Sequence, residues 1–206
     1  EKPISDDFGR AREMVAAAEA SGRTYAVIQN RRYNANIRTV IDVLRSGRIG
    51  RVHTLNVEFY MGAHFGGFRE EMEHVLLVDM AIHTIDQARY LAGKDATAVF
   101  CHEYNPPGSW YRHGSSAMAI YTLKDDTVFN YRGSWCAEGS KTDWFGSWRI
   151  LGDAGTVLWD GGADIRVYTP EGEREGLTHA IGETAVAPLP LPPEHTGHAG
   201  LIREFV

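Results

Sequence analysis

The sequence predicts an α+β fold with one large, mostly antiparallel open sheet that helices cover on one face. Helical patterns dominate the chain up to about residue 91, and short strand-like segments separated by tight turns follow from residue 97 onward. A length of 206 residues suits one full domain, alone or with part of another. Helices followed by a meander of strands are typical of this fold class.

The first predicted helix begins after Ser5, whose hydroxyl can cap free backbone amides, and ends at Gly22. Apolar residues recur between these points at helical spacing. Residues 24–29 then predict a short strand. A second helix has an apolar stripe from Ile37 onward and stops at Gly47.

Residues 55–61 alternate apolar and polar side chains, which predicts a half-buried strand. Residues 75–91 are apolar nearly all round, which predicts a buried helix. That helix contains Asp79, His83 and Asp86, and buried polar groups of this kind need partners.

The later part of the chain predicts six strands, with Gly, Asp and Pro between them as in tight turns. They cover residues 98–104, 115–123, 127–135, 148–151, 156–159 and 165–168. Residues 183–195 predict an extended connection, and a helix begins at His198.

Composition and charge exclude several classes of protein. With 43% hydrophobic and 23% charged residues, the chain is typical of globular proteins. A net charge of −6 gives no general attraction to nucleic acid or to an anionic membrane, so neither is expected as a partner. We find no apolar run long enough to span a bilayer and no signal peptide.

Only two cysteines are present, Cys101 and Cys136, which are too few for a disulfide framework. We therefore expect a reducing, cytoplasmic setting. The sequence begins at Glu1 without an initiator Met, and we expect it to be part of a longer chain.

Asp79 and His83 are four residues apart on the predicted helix, which would place their Cβ atoms about 5–6 Å apart on one face. A carboxylate can orient an imidazole there, and such a pair can act as a general acid or base. A buried hydrogen bond with a purely structural purpose explains the same spacing equally well.

Other chemistry has less support. His74, Asp79, His83 and His102 match no zinc-binding spacing, so no metal is expected. No GxGxxG, Walker loop or GxSxG occurs, so a nucleotide site must lie in other sequence. Aromatic and Gly-rich segments such as residues 131–148 suit either a pocket for a polar ring-shaped ligand or an oligomer interface.

A set of landmarks in fixed order resembles the Gfo/Idh/MocA oxidoreductases. It starts with the EKP motif of residues 1–3 and the helix after it, and it includes the pattern Asp79-x-x-x-His83-x-x-Asp86. The Arg-rich segment 29–52, Phe68-Arg69 and the turn RILGDAGTVLWDG at 149–161 also resemble that family. The likeness covers nearly the whole chain.

The resemblance implies a glucose-fructose oxidoreductase C-terminal-like fold. Residues 1–29 would be the remnant of an N-terminal dinucleotide-binding Rossmann domain, and residues 30–206 would form the substrate-binding and catalytic domain, truncated at its C-terminus. The implied cofactor is NAD or NADP, held mainly by the Rossmann domain, whose glycine turn meets the pyrophosphate.

The resemblance also implies roles for individual residues. Lys2 would hold the substrate hydroxyl, His83 would accept its proton, and Asp79 would orient His83. Glu1, Lys2 and Pro3 would lie beside the nicotinamide. The expected substrate-binding residues are Arg32, Tyr33, His64, Arg69 and Trp135.

The expected activity is hydride transfer between the nicotinamide and a hydroxyl of a sugar, polyol or related cyclic compound. Many members have a GGG-like run where this chain has Glu73-His74-Val75, so the substrate itself stays open. The alternatives are a nonenzymatic ligand-sensing regulator with the same fold and an NAD-dependent glycosidase. A homo-oligomer is expected through the open sheet face, to which we assign Tyr60, Tyr121, Tyr131 and Trp135.

Overall fold

A computed structural model describes residues 2–205 and has one eight-stranded sheet with helices on one face. The strand order is β2-β3-β4-β1-β5-β6-β7-β8, and all neighbouring strands are antiparallel except β1 and β4. The predicted α+β class is confirmed. None of the helices in residues 2–205 is long and apolar enough to cross a membrane.

The strands and helices have the following bounds. The strands are β1 (Val52–Tyr60), β2 (Ala96–Tyr104), β3 (Ser116–Leu123), β4 (Val128–Ser134), β5 (Ser147–Gly152), β6 (Gly155–Trp159), β7 (Ile165–Glu175) and β8 (Thr178–Ala185). The helices are α1 (Phe8–Ser21), α2 (Ala35–Arg45), α3 (Phe68–Glu71), a π-helix (Leu76–Ala81), α4 (Ile82–Ala92) and α5 (Gly197–Phe205).

The two faces of the sheet are set by the alternation along β1. Leu55, Val57 and Phe59 are buried beneath the helices, while the residues between them face the other way. The π-helix and α4 pack on this side of the central strands, against β1, β3 and β4. We call the opposite side, which none of the helices in residues 2–205 covers, the open face.

A row of aromatic rings fills the helix side of the middle strands. Trp148 on β5 is stacked between Phe129 and Trp159, with ring centroids at 6.2 and 6.1 Å. All three rings are buried. The indole N–H of Trp148 donates to the carbonyl of Phe145 at 2.8 Å, so burial leaves no polar group of this side chain unpaired.

Several local predictions were wrong. Residues 24–29 form no strand, because no other strand in the described part of the chain lies beside them to complete the hydrogen bonds. The cap of α1 is Asp7, whose carboxylate accepts from the Arg10 N–H at 2.8 Å, and Ser5 instead accepts from the N–H of Asp7. The sequence predicts an extended connection from residue 183, whereas Thr178–Ala185 form β8, which pairs with β7.

The aromatic residues assigned to the open face also need correction. Tyr131 and Trp135 are buried beneath the helices, and Tyr121 lies on the same side because it pairs with Phe129. Only Tyr60 is on the open face, as its place next to Phe59 in the alternation requires. The apolar side chains exposed on the open face are instead Phe100, Met118, Ile120 and Ile181.

Candidate functional site

A π-helix runs into α4 at the place where the sequence predicted one uninterrupted α-helix. Leu76, Met80 and Ala81 bury the π-helix against the sheet, while Asp79 stays half-buried. His83 lies just beyond, in the first turn of α4. π-Helical turns are rare in proteins overall, and those that do occur are often found at functional sites.

The carboxylate of Asp79 bonds to two cations. One oxygen accepts from the Lys2 ammonium at 3.3 Å, and the other accepts from Nε of Arg69 at 3.0 Å. Lys2 also donates to the backbone carbonyl of Asp79. The side chains of Lys2, Asp79 and Arg69 therefore form a compact charged cluster that joins the N-terminal segment to the π-helix.

The expected hydrogen bond from Asp79 to His83 is absent from the described residues. Its prediction assumed α-helical geometry, in which residues four apart share a face. The π-helix ends at Ala81, between the two residues, so that alignment does not hold. Asp79 consequently positions Lys2 and Arg69 in the structure.

His83 has a buried Nδ1 without a hydrogen-bond partner in residues 2–205. Burial, and after it the nearby charges of Arg31 and Lys2, lower the pKa of His83 to about 3 against the opposing effect of Asp79. The ring is therefore neutral at neutral pH. A neutral imidazole has one nitrogen free to accept a proton.

Arg31 is the residue that the sequence analysis missed. Its guanidinium bonds to the carbonyl of Trp144, contacts the sulfur of Met80 at 3.2 Å and lies over the Phe145 ring. Burial lowers the pKa of Arg31 to about 10, so it stays charged at neutral pH. Its neighbour Arg32 was predicted instead, although both belong to the same Arg-rich segment.

Arg32 and Tyr33 are held by other protein groups. The guanidinium of Arg32 makes two bonds to the buried carboxylate of Asp86, with Nε to Oδ2 at 2.7 Å. The Tyr33 ring lies under the guanidinium of Arg38 at 4.9 Å. Their role in substrate binding stays a prediction.

The other three predicted substrate-binding residues are His64, Arg69 and Trp135. His64 and Arg69 belong to the segment that precedes the π-helix, and Trp135 follows β4. Arg69 contacts Asp79 and lies over the ring of Phe65 at 5.1 Å. Phe65 in turn meets Trp135 edge to face at 5.1 Å. His64 stacks on Trp110 and bonds to Glu138 at 2.8 Å. Phe65 therefore contacts both Arg69 and Trp135.

Of the predicted cofactor residues, Lys2 and Pro3 are half-buried, and Glu1 lies outside the described residues. Within residues 2–205, no three His, Cys, Asp or Glu side chains are grouped as metal ligands would be. Lys2, Asp79, His83, Arg69 and Arg31 are thus the charged and titratable groups that the structure brings together.

Comparison with known proteins gives a family match. The model of the GFO/IDH/MocA C-terminal domain matches residues 37–158, more than half of the chain. The 1,5-anhydro-D-fructose reductase of Ensifer adhaerens is 31% identical over 198 residues, which is 94% of this chain and 56% of that protein.

Solved structures share the fold. An oxidoreductase from Agrobacterium radiobacter in complex with NAD+, L-tartaric acid and magnesium has a TM-score of 0.77 at 23% identity, covering 95% of this chain and 56% of the other. A levoglucosan dehydrogenase in complex with NADH and L-sorbose has a TM-score of 0.71 at 17% identity, covering 95% and 59%. This chain spans about half the length of the curated relatives that it matches.

Proposed function

Since the chain belongs to the GFO/IDH/MocA family, we propose that it forms the substrate-binding and catalytic part of an NAD- or NADP-dependent oxidoreductase. The substrate class is a sugar, polyol or related cyclic compound with a secondary hydroxyl. One observation carries the proposal: a neutral His83, whose buried Nδ1 has no hydrogen-bond partner in residues 2–205, lies near enough to the Lys2 ammonium for that charge to lower its pKa. The named sugar reductases and dehydrogenases among the relatives support it.

In this proposal the residues of the chain bind the hydroxyl and move its proton. Lys2 donates a hydrogen bond to the substrate oxygen and favours the alkoxide, because its ammonium is fixed by Asp79. His83 accepts the proton. Asp79 and Arg69 are positioning residues, since Asp79 bonds to Lys2 and Arg69 bonds to Asp79. The nicotinamide, when bound, supplies the hydride acceptor.

The cofactor fits the described residues only at its nicotinamide end. Lys2 and Pro3 lie at the charged cluster, and the sequence has no glycine turn for the pyrophosphate. We therefore propose that residues 1–29 belong with an N-terminal dinucleotide-binding domain. The exposed apolar side chains of this segment, Phe8 and Val15 among them, support that division because they have nothing to pack on in the described chain.

A panel of polyhydroxylated compounds tests the proposed activity. The longer protein containing this chain is incubated with NAD or NADP and each compound, and nicotinamide absorbance is followed. We expect reduction of the cofactor with at least one sugar, polyol or derived acid. Binding of a ligand without turnover of any compound would favour a sensor, and release of free sugar without net NADH would favour a glycosidase.

We also propose that the protein is a homo-oligomer that buries the open face against a second copy. Phe100 and Ile120 lie side by side there and are 70% and 53% exposed, with Met118 and Ile181 on the same face. Exposed apolar patches of this kind are uncommon on monomers.

Light scattering checks the oligomer. We expect the unmodified protein to be at least dimeric at micromolar concentration and Ile120→Lys to be monomeric or much weaker in association, because a charge would be buried at the interface. Leu177→Lys, on an exposed turn, is the matched control. A monomeric unmodified protein contradicts the proposal.

The two free cysteines, Cys101 and Cys136, support a reducing, cytoplasmic location as part of the same proposal.

A further inference from the structure

Arg31 is a half-buried cation beside the proposed catalytic residues. It forms no ion pair with a carboxylate in residues 2–205. Asp143 is the acid whose charge acts on it, but that carboxylate instead accepts from the N–H of Phe145 at 2.8 Å. A guanidinium has five N–H donors, and the two contacts to Trp144 and Met80 leave the others available.

The surroundings of Arg31 connect it to the reaction site. Met80, which its guanidinium contacts, is one turn before His83 on the same helical segment. The charge of Arg31 affects the pKa of both His83 and Tyr131. The phenol of Tyr131 is 1% exposed and its hydroxyl has no partner in the described chain, as is true of Nδ1 of His83. Buried polar atoms of this kind normally have a partner.

Positive charge exceeds negative charge around His83. Asp79 is a single carboxylate that Lys2 and Arg69 already share, and it makes no ion pair with Arg31 in residues 2–205. A hydroxyl of a neutral polyol can accept one hydrogen bond from this cation, whereas a carboxylate offers two oxygens to the planar fork of the guanidinium and also balances its charge. The free donors of Arg31 therefore suit an anionic group better than a further hydroxyl.

We propose that Arg31 binds a carboxylate of the substrate, so that the hydroxyl oxidised at His83 belongs to a sugar acid or a related polyhydroxy acid. This inference rests on the proposed function, because it assigns Arg31 to the site in which His83 accepts the proton. It deepens that function by naming the chemical class of the substrate and the residue that selects it.

A carboxylate bound to Arg31 would also change the pKa of the base, His83. The positive charge of Arg31 is one cause of the low pKa of His83, and an anion placed on Arg31 offsets that charge. The His83 pKa then rises towards the operating pH, where a general base works best. Substrate binding and activation of the base are coupled in this way, and a neutral sugar does not provide the coupling.

The experiment compares matched pairs of compounds on the longer protein. The pairs are D-glucose with D-glucuronate and D-galactose with D-galacturonate, assayed for KM by nicotinamide absorbance and for binding by tryptophan fluorescence, since Trp144 adjoins Arg31. The variants are Arg31→Gln and Arg31→Lys. Arg132→Gln, whose partner Glu58 is on the open face, is the matched control.

We expect at least one acid to bind more tightly than its neutral partner. Arg31→Gln should raise the ratio of the acid KM to the neutral KM by about 10- to 100-fold, as loss of a charged hydrogen bond does. Arg31→Lys should recover part of the loss, and Arg132→Gln should leave the ratio unchanged. The ratio cancels every effect of the substitution that the two compounds share, and what remains is the loss of the carboxylate contact together with its effect on the pKa of His83.

Three results would overturn the assignment: no acid in the panel binds, neutral sugars bind as well as their acids, or Arg31→Gln lowers the melting temperature without moving the ratio. The proposed oxidoreductase fails separately. Arg31-dependent binding of an acid without any turnover would uphold the carboxylate site and reject the dehydrogenase. If neutral sugars are turned over and the ratio of the acid KM to the neutral KM is the same in Arg31→Gln as in the unmodified protein, the dehydrogenase is upheld and the carboxylate site is rejected.

Discussion

Replacement of His83 by alanine is expected to lower kcat of the longer protein by about 10²- to 10⁴-fold, because a positioned general base contributes that much. Lys2→Ala should lower it by about 10²-fold or more, since the substrate hydroxyl loses the ammonium that favours its alkoxide. Steady-state assays with the best compound of the panel measure both. His53→Ala, at an exposed position on β1, is the control and should retain activity.

A structural role for His83 predicts a different pattern. If His83→Ala mainly lowers the melting temperature and spares turnover per folded molecule, the assignment of His83 as the base is wrong. Thermal unfolding of each variant, measured beside its kinetics, separates the two outcomes.

The pH dependence of stability gives a second readout for the same variant. The pKa of His83 is lowered from 6.5 to about 3 in the folded protein, so the unfolded chain binds a proton that the folded chain does not between these values. Stability therefore falls as pH drops through this window. Burial is the main cause of the low pKa of His83; the charges of Arg31, Lys2 and His198 add to it, and Asp79 opposes it. Relative to the unmodified protein, His83→Ala should lose less of its melting temperature on acidification.

Trp148→Ala is expected to lower the free energy of unfolding by about 3–5 kcal/mol, the usual cost of deleting a large buried aromatic side chain. Trp148 is fully buried between Phe129 and Trp159, so two aromatic stacks are lost together with its bond to Phe145. Denaturant titration measures the change.

Leu177→Ala provides the control, because this side chain is 97% exposed at the turn between β7 and β8. Exposed substitutions of this kind usually change stability by less than about 0.5 kcal/mol. A small effect of Trp148→Ala, comparable with that of Leu177→Ala, would contradict the central place of the aromatic row in the core.

Much of the fold was predictable because its signals are local. The alternation along residues 55–61 identified β1, and turn sequences such as those at 152–155 separated the later strands. Residues 24–29 have the composition of a strand, but a strand also needs a neighbour, which no local pattern supplies. The side to which Tyr131 and Trp135 point was likewise decided by strand pairing, as Tyr131 lies opposite Val57.

The candidate site was predictable in its residues and less so in its bonds. Lys2, Asp79 and His83 were identified through the resemblance, yet the partner of Asp79 was wrong because the π-helix was not foreseen. Its wide turns form where the segment packs against β3 and β4, and the sequence of that segment reads equally well as an α-helix.

Arg31 was missed for a simple reason. Arginines occupy the adjacent positions 31 and 32, and the sequence alone does not distinguish which of the two side chains points to the site. Which of them reaches Asp86 depends on the direction of the short 3-10 turn at Asn30–Tyr33. That turn directs Arg32 to α4 and leaves Arg31 beside Met80.

The position of β1 at the centre of the sheet has a consequence for how the chain folds. The antiparallel run β2-β3-β4 and the run β5-β6-β7-β8 can each form from neighbouring segments, but only β1 joins them. Of the eight strands, β1 is synthesised first, and it pairs with two strands that follow much later in the sequence. Thr54, for example, lies opposite Val128 on β4 and Leu151 on β5. Contacts so distant in sequence slow folding. During synthesis, both edges of β1 therefore stay unpaired until β4 and β5 have left the ribosome. Unpaired strand edges promote association with other chains, so the nascent chain is most prone to misassociation in that interval.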